Sequence, residues 1–145
     1  MELSIQTVLL NVTDLARSIE FYEDVFGLRP ISQQDEAAAL MISEATRRQV
    51  LLLRELGEQA HHPGRWNIGL RMLSFEVGTP QELDAIERKL VDRGDLIRQW
   101  ETETYGAIMG LDPDRTEVCV ASSSTGTPIT SEDWKAMDDS IYMFQ

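Results

Sequence analysis

Few side chains in this sequence could act as imidazole or thiolate ligands, bases or nucleophiles, and their positions narrow the choice further. There are two histidines, His61 and His62, and one cysteine, Cys119. Neighbours at i and i+1 rarely close on one ion, so the histidine pair reads as a solvated loop pair. Cys119 stands in an apolar run with no histidine or basic residue close in sequence to lower its pKa, which points to packing rather than nucleophilic chemistry. A lone cysteine also excludes an intrachain disulfide and a multi-cysteine zinc site. Two carboxylates, Glu76 and Glu117, fall inside strand-like runs, where a side chain has a fixed direction. Trp66 and Trp100 either line a pocket or cap apolar edges. Arg54 either anchors a ligand anion, pairs with Glu76, or extends into solvent at a strand end.

A pattern that occurs twice sets these positions. Ile5–Val12 reads as a strand ending at Thr13-Asp14, and Asp14 is a good N-cap for a helix carrying Leu15, Ile19, Tyr22, Val25 and Phe26 on one side and closed by Gly27. Strand-like runs follow at Leu28–Gln33, Ala37–Ile42 and Gln49–Arg54, and then a connecting loop over 56–69. The order repeats about 65 residues later. A strand over Leu70–Val77 leads to a helix with Thr79 as N-cap, Pro80 at N1 and Glu82 at N3; Gly94 closes it, and strands follow at Leu96–Glu101, Ala107–Leu111 and Glu117–Ser122. Strand parity puts Thr7, Leu9 and Asn11 on one face, as it does Leu52 with Arg54, Met72 with Ser74 and Glu76, and Glu117 with Cys119 and Ala121. Val8, Leu10, Val12, Leu73, Phe75, Val77, Val118 and Val120 take the helix side. After a linker-like stretch at 123–126, Thr130 and Asp133 mark the start of a short helix with Trp134, Met137 and Ile141 on one face. The expected organisation is one domain over 1–124, with βαβββ modules at about 1–56 and 67–124, and a C-terminal extension over 125–145.

The run VLLNVTDLARSIEFY from Val8 to Tyr22, followed by Val25-Phe26-Gly27-Leu28, resembles the N-terminal signature of the vicinal oxygen chelate superfamily, which includes glyoxalase I, extradiol dioxygenases, and fosfomycin- and bleomycin-resistance proteins. Leu73-Ser74-Phe75-Glu76-Val77 and Asp112-Pro113-Asp114 resemble its other landmarks. The resemblance implies an α+β fold in which two βαβββ modules form a curved mixed-sheet cup with helices on the outer face. Metal-dependent members hold an ion with four ligands facing that cup. Position by position, those ligands fall here on Thr7, Leu52, Met72 and Cys119. A catalytic Zn, Ni, Fe or Mn site needs about three strong imidazole, carboxylate or thiolate donors, and this set offers one. The expectation is therefore no metal and no cofactor. Glu76 and Glu117 also face the cup, so a displaced two-carboxylate site stays open, one that lacks histidine.

Composition bounds the partners. Acidic residues outnumber basic ones 25 to 13, giving a net charge of −12 on 145 residues, with 42% hydrophobic and 26% charged residues. That balance describes one compact acidic domain and argues against nucleic acid, whose phosphates are bound through Lys and Arg. The first ten residues lack a basic n-region and no apolar run approaches the ~20 residues of a membrane span, so the chain is expected to be cytoplasmic with no membrane partner. An apolar floor of Leu9, Leu52 and Met72 under a polar rim of Asn11, Ser74, Glu76 and Glu117 suits a small molecule. Together with the resemblance, this points to a metal-independent binding protein of the bleomycin-resistance type that sequesters a cationic or aromatic compound, antibiotic resistance being the model. The resemblance also implies a homodimer. Two alternatives remain: a metal-dependent lyase or dioxygenase with displaced ligands, and a dimeric scaffold for another protein.

Overall fold

The computed structural model describes residues 1–45, 49–61, 70, 72–127, 129–130, 132–133 and 136. The fold is α+β and consists of two βαβββ modules. The first runs β1 (Thr7–Val12), α1 (Leu15–Phe26), β2 (Arg29–Gln33), β3 (Ala37–Met41) and β4 (Val50–Glu55). The second runs β5 (Met72–Glu76), α2 (Pro80–Arg93), β6 (Leu96–Glu101), β7 (Tyr105–Leu111) and β8 (Glu117–Ser123). Each makes a four-stranded sheet, in the orders β1-β4-β3-β2 and β5-β8-β7-β6. The outer pairs β1·β4 and β5·β8 are parallel and the remaining pairs antiparallel. The chain falls into two compact units, Met1–Gly69 with Asp112–Arg115, and Leu70–Leu111 with Thr116–Gln145.

Local sequence explains the elements. The Asp14 carboxylate accepts the Arg17 N–H at 3.0 Å and Glu55, from the end of β4, accepts the Leu15 N–H at 3.0 Å, so two acids satisfy the start of α1. Gly27 ends the helix in the left-handed region at φ 67°, with its N–H on the Glu23 carbonyl. Thr79 caps α2 by accepting the Glu82 N–H at 3.2 Å, while the Glu82 carboxylate accepts from Gly78, one residue before the cap. β1 starts at Thr7, later than the apolar run from Ile5 suggests, because its ladder with β4 begins at Thr7↔Val50. β7 starts two residues early, at Tyr105, because β8 extends to Ser123 to pair with it. Both modules carry a register shift at matching places, between Pro30 and Ser32 in β2 and between Leu96 and Arg98 in β6.

In the first module α1 buries Leu15, Ser18, Ile19, Phe21, Tyr22 and Val25, and Leu10, Val12, Leu40, Leu51 and Leu53 supply the buried sheet residues. In the second, α2 descends onto β7 through Leu83 and Leu90. Gly110 permits this, since a Cβ there would lie 2.8 Å from the Leu90 Cδ2 atom. Each sheet therefore has one face under its own helix and one far face turned away from it.

Candidate functional site

The residues singled out in the sequence lie on the two far faces, each considered within its own module. In the first, the register Leu9↔Leu52 and Asn11↔Arg54 sets these four side by side, with Thr7 next along β1. Ala39 continues the row opposite Leu52, and Ala37 opposite Arg54. Leu9 is 52% exposed, a large apolar side chain left open beside the half-buried Leu52, and Thr7, Asn11 and Arg54 are exposed around them. An apolar centre with a polar surround can bury the body of a small molecule and orient it.

In the second module the ladders place Met72 against Glu117, Ser74 against Cys119 and Glu76 against Ala121. Ser74 and Glu76 are exposed, Met72 and Glu117 half-buried. Cys119 is not accessible. It is 0% exposed within a cluster of Tyr105, Ala107, Met109 and Ala121, against which Met72, Trp100 and Ile129 pack. Burial pushes the Cys119 thiol up to about 12, outweighing a hydrogen bond from the Val120 backbone that lowers it, while Glu117 raises it further. The thiol is protonated at neutral pH. Trp100 pairs with Ala107 on this face, with the Arg98 guanidinium 5.4 Å from its ring centroid, so the indole already meets a cation.

Ile129 belongs to the C-terminal extension, which therefore returns onto the far face of its own module. The start of its helix is capped reciprocally: the Thr130 N–H and hydroxyl both donate to the Asp133 carboxylate at 2.9 Å, and the Asp133 N–H donates to the Thr130 hydroxyl at 3.1 Å. Burial first, then the charge of Asp133 and then Cys119, raise the Tyr105 hydroxyl above its usual range. Glu132, Asp133 and Ala136 are helical. The apolar face assigned to Trp134, Met137 and Ile141 lies outside the described residues, as do His62 and Trp66; His61 is exposed.

Two features escaped the sequence reading. Tyr105 and Met109 extend the far-face cluster, and the alternation of β7 around Ala107 could have found them. The second is a buried polar network that ties the sequence landmarks together. Tyr22 donates to the 3%-exposed Asp112 at 2.8 Å, and Asp112 accepts the Asp114 N–H at 2.9 Å. Asp114 in turn accepts both the Thr13 N–H at 3.1 Å and the Thr13 hydroxyl, and lies 3.8 Å from the Arg17 guanidinium. Burial first, and the Asp112 charge second, push the Tyr22 hydroxyl far above its usual range, so it stays a donor. Thr13, Tyr22 and the Asp-Pro-Asp turn are thus partners in holding the first unit together. Their spacing marks the fold rather than the chemistry.

Among the described residues no group of three or more His, Cys, Asp or Glu side chains is placed to hold a metal ion. No helix is long and apolar enough to cross a membrane among those residues.

The family description Glyoxalase/Bleomycin resistance protein/Dioxygenase superfamily matches residues 4–120, and the chain belongs to this superfamily. No curated protein matches it. Among solved structures it is similar to a glyoxylase/bleomycin resistance protein/dioxygenase domain from a Frankia species (TM-score 0.72, 20% identity, covering 85% of this chain and 99% of that one). It is also similar to a lactoylglutathione lyase from Agrobacterium tumefaciens (TM-score 0.62, 20% identity, 82% and 92%). A third is the genomically encoded fosfomycin resistance protein from Listeria monocytogenes (TM-score 0.66, 15% identity, 92% and 98%). At these identities the likeness shows the fold, which hosts several chemistries.

Proposed function

We propose that this chain is a metal-independent small-molecule-binding member of the superfamily, taking a cationic or aromatic compound, with candidate contact residues on the module far faces, each face considered by itself. The observation that supports this most is the state of the four positions where metal-dependent members place ligands. Thr7 and Leu52 have no strong donor, Met72 offers a thioether, and Cys119 is a buried thiol pushed up to about 12. Catalytic divalent ions need deprotonated thiolate, imidazole or carboxylate donors, and this set does not fit them. No reaction step is therefore routed through a metal. What the faces offer instead is apolar area at Leu9, Leu52 and Met72, hydrogen bonding at Thr7, Asn11 and Ser74, and charge at Arg54, Glu76 and Glu117. Trp100 adds aromatic surface, with the Arg98 guanidinium already over its ring.

The same reading carries a cytoplasmic homodimer, as in the drug-sequestering branch that the sequence resembles. Sedimentation at two concentrations tests the dimer, and a monomer at both contradicts it. The ligand is tested by thermal melting against a panel of cationic, aromatic and thiol-conjugate compounds. A ligand at a hundred times its dissociation constant stabilises by about 2.7 kcal/mol, which raises the melting temperature by several degrees. Met72→Trp should abolish that rise while the protein stays folded. Unaltered affinity in this variant places the ligand elsewhere.

A further inference from the structure

On the helix side of the second sheet, under α2, lies a groove of about 340 Å³ whose lining shares only Trp100 with the ligand positions proposed above. Its walls are Leu83, Asp84 and Glu87 of α2 and Gln99 and Glu101 of β6; its floor is the cross-strand pair Gly106 and Ser122. Gly106 has no side chain to fill the space; a Cβ there would come within 3.2 Å of Leu83. Ser122 follows Val118 and Val120 on the helix-facing side of β8. It is only 2% exposed, and its hydroxyl has no hydrogen-bond partner among the described residues. A buried hydroxyl without a partner destabilises the fold, and so marks a place where a ligand or water completes the structure.

We propose that this groove is a second binding site, for a small organic ammonium ion, with Ser122 as the buried acceptor and Asp84, Glu87 and Glu101 as the compensating charges. All three charged residues lining the groove are acidic. They are not gathered tightly enough to form a metal cage among the described residues, so the charge they compensate is spread along an extended cation rather than held at a point. The volume is at the small end for ligand pockets, which suits a short aliphatic amine rather than a drug-sized ring system. Glu87 already accepts the Gln99 side-chain amide, which fixes one carboxylate at the groove wall. The Ser122 hydroxyl can turn among staggered rotamers to meet an N–H donor. This site does not depend on the far-face reading above.

The test is an amide NMR titration of the full chain with putrescine, with butanediol and succinate as neutral and anionic controls of similar length. Saturable shifts at Gly106 and Ser122 with the diamine alone are expected. Ser122→Val should weaken that binding roughly tenfold, the loss of one charge-assisted hydrogen bond, and Glu101→Gln or Asp84→Asn should weaken it without touching the core. If Ser122→Val does not fold, the two surface variants decide. Equal shifts with butanediol, shifts scattered over the acidic surface without saturation, or full affinity in the surface variants overturn the proposal. So does a single ordered water on Ser122 that the diamine leaves in place.

Discussion

Cys119 stands at an implied metal-ligand position, and its burial makes a prediction that separates packing from reactivity. Replace it by alanine and measure urea unfolding of both proteins from pH 8 to 11, with reductant present. In the unfolded chain the thiol ionises near its ordinary 9.0, and in the folded chain near 12. The protonated form is the one the core accepts. The stabilisation that Cys119 supplies is thus fully present below pH 9 and is lost as pH rises toward 12. At about 1.4 kcal/mol per pH unit, the wild type should lose about 3 kcal/mol relative to Cys119→Ala between pH 8 and 11. A buried substitution of this kind costs about 1 kcal/mol, so the order of stability should reverse within that range. Taking the difference between the two proteins cancels the alkaline titration of Tyr22; Tyr105, whose hydroxyl Cys119 also raises, is replaced by phenylalanine in both proteins so that its titration does not enter. A difference that stays flat from pH 8 to 11 refutes the buried, protonated thiol and restores Cys119 as a candidate ligand or nucleophile.

Other outcomes follow from the same geometry. Tyr22→Phe removes a buried hydrogen bond to the Asp112 carboxylate and should cost about 2 kcal/mol by urea unfolding; a double-mutant cycle with Asp112→Asn should show coupling, and additive losses contradict the network. Ile129→Asp should detach the extension from the Tyr105–Cys119 cluster and speed labelling of Cys119 by a thiol reagent at pH 8, whereas unchanged labelling means the segment does not shield the thiol. Gly27→Ala puts a Cβ in the left-handed cap at φ 67° and should lower stability by about 1 kcal/mol, read as a shift in urea midpoint. Leu9→Asp should leave the fold intact, because Leu9 is already half exposed, while reducing the ligand-induced rise in melting temperature.

The modules were legible because their signals are local. Asp14, Gly27, Thr79 and Gly94 sit where a helix must start or stop, and the period of the apolar residues between them leaves one face to bury. Strand parity was equally readable, since it needs only alternation: Leu10 and Val12 are buried while Leu9 beside them in the strand is exposed. That Leu9 lies beside Leu52 and Met72 beside Glu117 is register, which the ladders supply. Strand ends were not, because β1 begins where β4 offers a partner and β7 where β8 does, which is a fact about another part of the chain. The Tyr22–Asp112 bond spans 90 residues, and nothing near either residue announces it. The return of Ile129 onto the Tyr105–Cys119 cluster was hidden for the same reason: a linker-like sequence tells that the chain leaves an element, not where it lands. The groove under α2 depends on Gly106 facing Ser122 across two strands, a register only the folded sheet supplies.

The central claim is that binding proceeds without a divalent ion. The most direct measurement is elemental analysis of the purified protein, paired with calorimetry of one ligand from the melting panel before and after exhaustive chelation. Substoichiometric transition metal and the same affinity in both titrations are expected. Stoichiometric zinc, nickel, iron or manganese, with binding that disappears on chelation and returns with the ion, contradicts it.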